Sequence, residues 1–199
     1  MPVLFSKEEA HYQLVIWQIE EPESFFASAL GFNSDKKHPK RRLEHLSGRY
    51  LLKVLHSDFP FEKMVIGTGG KPELSDESLH FSISHSFPYA AAIISKDKSV
   101  GIDIQVFVDK IQRLSPKFLT PLEQKIVGNT IPPITLAWAA KEALFKYYGL
   151  GAVDFKEDMP IQHIRWYEQH AKVHMQLQKT REQCVLTGFV AAHFAVAWI

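Results

Sequence analysis

Cysteine is almost absent: the 199 residues contain one, Cys184, in an apolar stretch. No disulfide can form within the chain, and a reducing compartment is the default for such a composition. An excess of one charge is also missing. Lys plus Arg number 23 against 22 Asp plus Glu, a formal net charge of +1, which excludes a general polyanion binder and an acidic mimic. No stretch approaches the roughly 20 apolar residues of a membrane span. The first residues carry Lys7, Glu8, Glu9 and His11, a pattern unlike a secretory signal. The expectation is a soluble cytoplasmic protein with neither a membrane nor a nucleic-acid partner. A P-loop is lacking too, because Gly67-Thr-Gly-Gly-Lys-Pro72 does not have its glycine spacing.

What is present is a core. Apolar residues make up 46% of the chain, which suits one compact domain or two small ones. Leu14 to Ile19 reads as a strand that Glu21-Pro22 ends. Pro39 to Leu55 reads as a helix, with Leu43, Leu46, Tyr50 and Val54 at three- and four-residue steps. Its other face carries Arg42, His45, Arg49 and Lys53, either a solvated basic face or a phosphate-binding stripe. Leu79 to Ser84, Tyr89 to Ser95 and Ser99 to Phe107 read as strands. Thr120-Pro-Leu-Glu123 has the form of a capped helix start. Ile134 to Tyr148 is the strongest helix, closed by Gly149 and Gly151. The remainder reads as strands over Ile161–Tyr167, Ala171–Gln178, Cys184–Ala191 and His193–Ile199. Ser84 to Ile94 and Gly188 to Trp198 each place a small-residue strand after a short break, an echo that two related halves meeting near residue 98 would explain.

Four short segments carry chemistry. In Val100-Gly-Ile-Asp-Ile-Gln-Val106, strand alternation puts Asp103 and Gln105 on one side with Gly101. A carboxylate and an amide oxygen projecting together suit a hard cation such as Mg²⁺; the alternative is an acid on an exposed strand face. Trp138, Glu142 and Lys146 share a helix face at four-residue steps, where Glu142 and Lys146 serve either a metal and a phosphate or only each other. Ser82-Ile-Ser-His-Ser86 sets a histidine among hydroxyls, and Gly70-Lys71-Pro72 holds a lysine on a stiff turn.

The order of these segments, with Phe118-Leu-Thr-Pro-Leu-Glu123 between them and Trp138-Ala-Ala-Lys-Glu-Ala-Leu-Phe-Lys146 at the end, resembles the phosphopantetheinyl transferase superfamily. It resembles most its larger, monomeric, pseudo-dimeric branch, which activates peptide and polyketide synthases. The resemblance implies an α+β fold of two similar α/β subdomains related by a pseudo-twofold, here 1–98 and 99–199. It implies transfer of the 4′-phosphopantetheine of coenzyme A to a serine of an apo acyl or peptidyl carrier protein, with Mg²⁺ and release of 3′,5′-ADP. Asp103 and Glu142 match the metal-binding acids, and Lys146 the lysine at the phosphates and leaving group. Lys71, Ser84, His85 and Lys141 match coenzyme A contacts, and Arg42 and Arg49 the basic helix positions for its nucleotide phosphates. Glu123 matches an acid assigned as ligand or base, although a capping-box glutamate fits it equally. Gln105 stands where many members carry a glutamate, which leaves the third metal ligand open. The rival readings are a protein of the same fold that binds coenzyme A or a carrier without turnover, and a Mg²⁺-nucleotide enzyme such as a kinase, against which the missing P-loop and kinase motifs count.

Overall fold

The computed structural model describes residues 3–199. The chain divides into two compact units: residues up to Gly67 with Pro72–Val100, and Thr68–Lys71 with Gly101–Ile199.

The first unit contains β1 (Val3–Glu8), β2 (Gln13–Gln18), α1 (Glu23–Leu30), α2 (Pro39–Leu55), β3 (Met64–Ile66), β4 (Pro72–Leu74), β5 (His80–Ser86) and β6 (Tyr89–Ser95). Its antiparallel sheet runs β1-β2-β6-β5, and β3 pairs with β4 as a separate ribbon. The central strand β6 reads Tyr-Ala-Ala-Ala-Ile-Ile-Ser and is buried throughout, so its near-continuous small and apolar run reflects burial of both faces. Helix α2 lies on β6, β5 and β2, and α1 lies on α2. The buried side of α2 is Leu46, Leu51 and Leu52 with Ser47 and Gly48. Val54, read from spacing as part of the apolar stripe, is exposed instead, because the buried face turns toward Leu51 and Leu52. Pro22 precedes α1 and Gly31 ends it in the left-handed region, φ 78°. These are ordinary helix boundary residues, yet the Glu21-Pro22 break hides the helix from a reading by hydrophobic runs. Phe26 from α1, Trp17 from β2 and Tyr50 from α2 meet edge to face at 5.4–5.6 Å.

The second unit contains β7 (Ile102–Val106), α3 (Lys110–Leu114), α4 (Pro121–Val127), α5 (Ile131–Tyr148), β8 (Ile161–Tyr167), β9 (His170–Leu177), β10 (Glu182–Val190) and β11 (Phe194–Trp198). The antiparallel sheet runs β7-β11-β10-β9-β8. Helix α5 packs on β7, β11 and β10 through Leu136, Ala137, Ala140, Ala143 and Leu144, all buried. It begins three residues before Ile134. Pro132 and Pro133 lie inside its first turn, where a missing N–H costs nothing because no intrahelical partner exists there. The Thr120–Glu123 capping box is formed: Thr120 Oγ1 accepts the Glu123 amide at 3.2 Å, and a Glu123 carboxylate oxygen accepts the Thr120 amide at 2.7 Å.

Each unit thus lays one long helix against an antiparallel sheet, a mixed α and β architecture. Among the described residues no helix is long and apolar enough to cross a membrane.

Candidate functional site

The placement of α5 against β7 follows from a glycine. A Cβ at Gly101 would meet the carbonyl oxygen of Ala143 at 2.0 Å, so only glycine permits this approach of helix and strand. Gly101 is also tied to Ile199 by two backbone hydrogen bonds of 3.0 Å. The close approach brings Asp103, two residues along β7, within reach of the polar face of α5. Asp103 is 3% exposed. Its Oδ1 accepts a hydrogen bond from Lys146 Nζ at 2.7 Å, and its Oδ2 accepts one from Gln105 Nε2 at 2.8 Å. Lys146 also donates to the Ile102 carbonyl at 3.0 Å. Glu142, one turn before Lys146, has its carboxyl pushed up to about 7 by burial and by the negative charge of Asp103, with Lys146 opposing. Two carboxylates and an ammonium, from a strand and a helix that are distant in sequence, therefore share one place.

The Gln105 amide nitrogen donates to Asp103 Oδ2, which orients that carboxylate. Among the described residues no group of three His, Cys, Asp or Glu side chains is gathered as a metal cage.

Lys141 is 0% exposed and Glu123 1%. Lys141 Nζ donates to Glu123 Oε1 at 2.5 Å and to the Phe155 carbonyl at 2.6 Å. Glu123 Oε1 also accepts the Ile161 amide at 2.9 Å, and Oε2 closes the capping box. Burial pulls the Lys141 ammonium below its usual value, and the Glu123 charge works against that pull. With every polar atom engaged, the pair ties together α4, α5, the Phe155 segment and the start of β8.

Lys71 belongs to the second unit through its neighbours. A Cβ at Gly69 would meet the Gly149 carbonyl oxygen at 2.0 Å, so the Thr68–Lys71 segment lies directly on the C-terminal end of α5.

In the first unit the basic face of α2 splits. Arg42 Nε is shared between the two carboxylate oxygens of Glu23 of α1, at 2.8 and 3.0 Å, and its Nη1 donates to the Lys37 carbonyl at 3.1 Å. Arg49, about two turns on, has no carboxylate within ion-pair distance among the described residues; its guanidinium reaches the His45 carbonyl at 3.4 Å and Met64 Sδ at 3.6 Å. Burial lowers its proton affinity. Among the described residues, His45 Nδ1 is buried without a hydrogen-bond partner. Burial, reinforced by the Arg49 charge, pushes the imidazole down to about 4. Both side chains line a cavity of about 500 Å³ with Phe32, Phe61, Met64 and Ile66, and the acids Asp35 and Glu62 line it too. The wall is therefore mixed in charge, and the Asp35 carboxylate works against the downward shifts of both His45 and Arg49. His45 was visible in the sequence only as one more basic residue of the stripe; what sets it apart is an empty Nδ1, which no spacing reveals. His85 is half-exposed, with Nδ1 3.6 Å from a Glu44 carboxylate oxygen, and Ser84 beside it is buried.

Comparison with known proteins bears on both units. Residues 99–198 match the 4′-phosphopantetheinyl transferase superfamily. Enterobactin synthase component D of Salmonella typhimurium is 32% identical over 117 residues, covering 55% of this chain and 49% of that protein. Its Escherichia coli counterpart is 30% identical over 145 residues, 68% of this chain and 67% of that protein. A Salmonella typhi protein named 4′-phosphopantetheinyl transferase AcpT is 34% identical over 117 residues, 55% and 60% respectively. The match spans about half the length of the Salmonella typhimurium relative.

Proposed function

Because this chain belongs to the 4′-phosphopantetheinyl transferase superfamily, we propose that it transfers the phosphopantetheine arm of coenzyme A to a serine hydroxyl of an apo carrier protein, of acyl or peptidyl type, and releases 3′,5′-ADP. The observation that carries this reading is the convergence of Asp103, Glu142 and Lys146, the chain's counterparts of the family's reactive acids and lysine. Two neighbouring carboxylates, one with its proton affinity raised by burial and then by the other's charge, are the hard-oxygen donor set that Mg²⁺ takes when substrate phosphates and water complete its shell. Asp103 and Glu142 would hold it, and when bound it would act as a Lewis acid toward phosphate oxygens.

The chain's own residues supply the rest. Arg49 is retained as a contact for the nucleotide phosphates, and Lys71, Ser84 and His85 as further coenzyme A contacts. Lys146 places a fixed positive charge where negative charge grows on the transferred group. The serine oxygen bonds to the pantetheine-side phosphorus as the bond from that phosphorus to the bridging oxygen breaks. The serine proton passes to Glu142, directly or through water, with that carboxylate as the general base. Glu123 and Lys141 are assigned to the frame, and Arg42 to the α1–α2 contact. We further propose that the two units are related by a pseudo-twofold with a boundary near residue 98, and that the protein acts as a cytoplasmic monomer.

The test is the mass of an apo carrier protein after incubation with this protein, coenzyme A and Mg²⁺. A gain of one phosphopantetheine is expected. Binding of coenzyme A without any mass gain, across fatty-acid, polyketide and peptide-synthase carriers, would favour a non-catalytic binding protein instead.

A further inference from the structure

Asp103 cannot easily move. It is nearly buried, it lies on a strand paired with β11 opposite Ala197, and its Oδ2 is held by Gln105. Lys146 can move. Its side chain is 21% exposed and sits on a flexible four-carbon stem. The ammonium rests on Asp103 Oδ1 and the Ile102 carbonyl and is the positive charge that offsets Asp103 and Glu142. Without it, two acids would face each other in a half-dry site, an arrangement that like charges at close range resist.

We propose that Lys146 is a built-in counter-ion: it occupies Asp103 Oδ1 in place of a divalent cation, gives up that oxygen when the cation binds, and is thereby released toward anionic substrate. This rests on the proposed metal site, but neither coenzyme A nor a carrier is needed to observe it. An ammonium and a metal ion cannot share one carboxylate oxygen without standing a few ångströms apart as like charges. Lys146 and the cation therefore compete, and the lysine restrains premature metal loading until phosphates arrive to accept it. A lysine whose ammonium stood away from the Asp103 carboxylate would not oppose metal binding in this way.

The measurement is a Mn²⁺ titration followed by electron paramagnetic resonance, on protein without coenzyme A. Wild type, Lys146→Met, Lys146→Gln and Asp103→Asn are compared. Removing a charge in hydrogen-bond contact with a ligand carboxylate should tighten Mn²⁺ binding about tenfold in both Lys146 variants, while Asp103→Asn should weaken it. The same Lys146 variants should be slower in carrier modification, so the two readouts move in opposite directions. Equal or weaker Mn²⁺ binding by both Lys146 variants, including no binding by any protein, overturns the proposal. If one variant fails to fold by circular dichroism, the other decides. If both fail, the Lys146 side-chain NMR signal of wild type decides: a shift on adding Mg²⁺ supports displacement, and an unmoved signal overturns it. Failure of carrier modification alone would count against the proposed reaction and leave this result standing.

Discussion

Replacing Lys141 by methionine removes the ammonium from a site with no access to water while keeping most of the side-chain volume. Glu123 would keep its bonds from the Ile161 and Thr120 amides but lose its counter-charge, and the Phe155 carbonyl would lose its donor. Breaking a buried pair from one side costs about 3–5 kcal/mol, because the remaining charge has nowhere to be solvated. The two surviving amide bonds to Glu123 place the expected cost toward the lower end, about 3 kcal/mol. For a chain of this length each kcal/mol moves the melting point by roughly 2–4 °C, so Lys141→Met should melt about 10 °C lower. The double variant Lys141→Met with Glu123→Gln removes both charges, and the glutamine oxygen can still accept the Ile161 amide. It should recover more than half of the loss. Urea denaturation and thermal melts on wild type, both single variants and the double variant give the cycle. A Lys141→Met protein within about 1 kcal/mol of wild type would refute the assignment of this pair to the frame. So would a double variant less stable than either single one.

Three further expectations follow from other residues. Arg49→Ala should weaken coenzyme A binding by tenfold or more in calorimetry while the fold persists; Arg42→Ala should cost at most about 1 kcal/mol of stability, as a partly exposed pair with Glu23 does, and leave coenzyme A binding unchanged. Gly101→Ala should push α5 off β7, because its methyl would meet the Ala143 carbonyl oxygen at 2.0 Å; a loss of at least 1–3 kcal/mol in denaturation is expected, together with a loss of carrier modification. His45 has a folded proton affinity held down at about 4 against about 6.5 unfolded, so unfolding takes up a proton between those values. Its contribution to stability is therefore complete above about pH 6.5, falls as pH drops toward 4 and levels off below, with a span of at most about 3 kcal/mol. His45→Gln should flatten that part of the stability–pH curve, and an unchanged curve would contradict the buried neutral imidazole.

Much of the fold was legible because periodicity and burial coincide. β8 was read with its observed ends, and α2 and α5 stood out by their apolar steps and boundary residues. β1 was not legible: Val3 and Leu4 are exposed on an edge strand, so no buried face imposes an alternation. α1 is eight residues long, too short for its spacing to stand out from a phenylalanine-rich run. At the site, segment order singled out Asp103, Glu142 and Lys146. It could not tell which basic residues of α2 are already paired. Arg42 and Arg49 are alike in sequence, and only the position of Glu23 on a neighbouring helix separates them. The Lys141–Glu123 pair was hidden for the same reason. A lysine beside a reactive glutamate looks like a site residue until the third dimension places an acid against it.

In the proposed reaction Asp103 and Glu142, with Lys146, carry phosphopantetheine transfer. The most direct measurement is the initial rate of carrier modification by wild type, Asp103→Ala and Glu142→Gln, at saturating coenzyme A and with circular dichroism confirming the fold of each. Both variants should stay folded with transfer nearly abolished. A folded Asp103→Ala protein that modifies the carrier at close to the wild-type rate would contradict it.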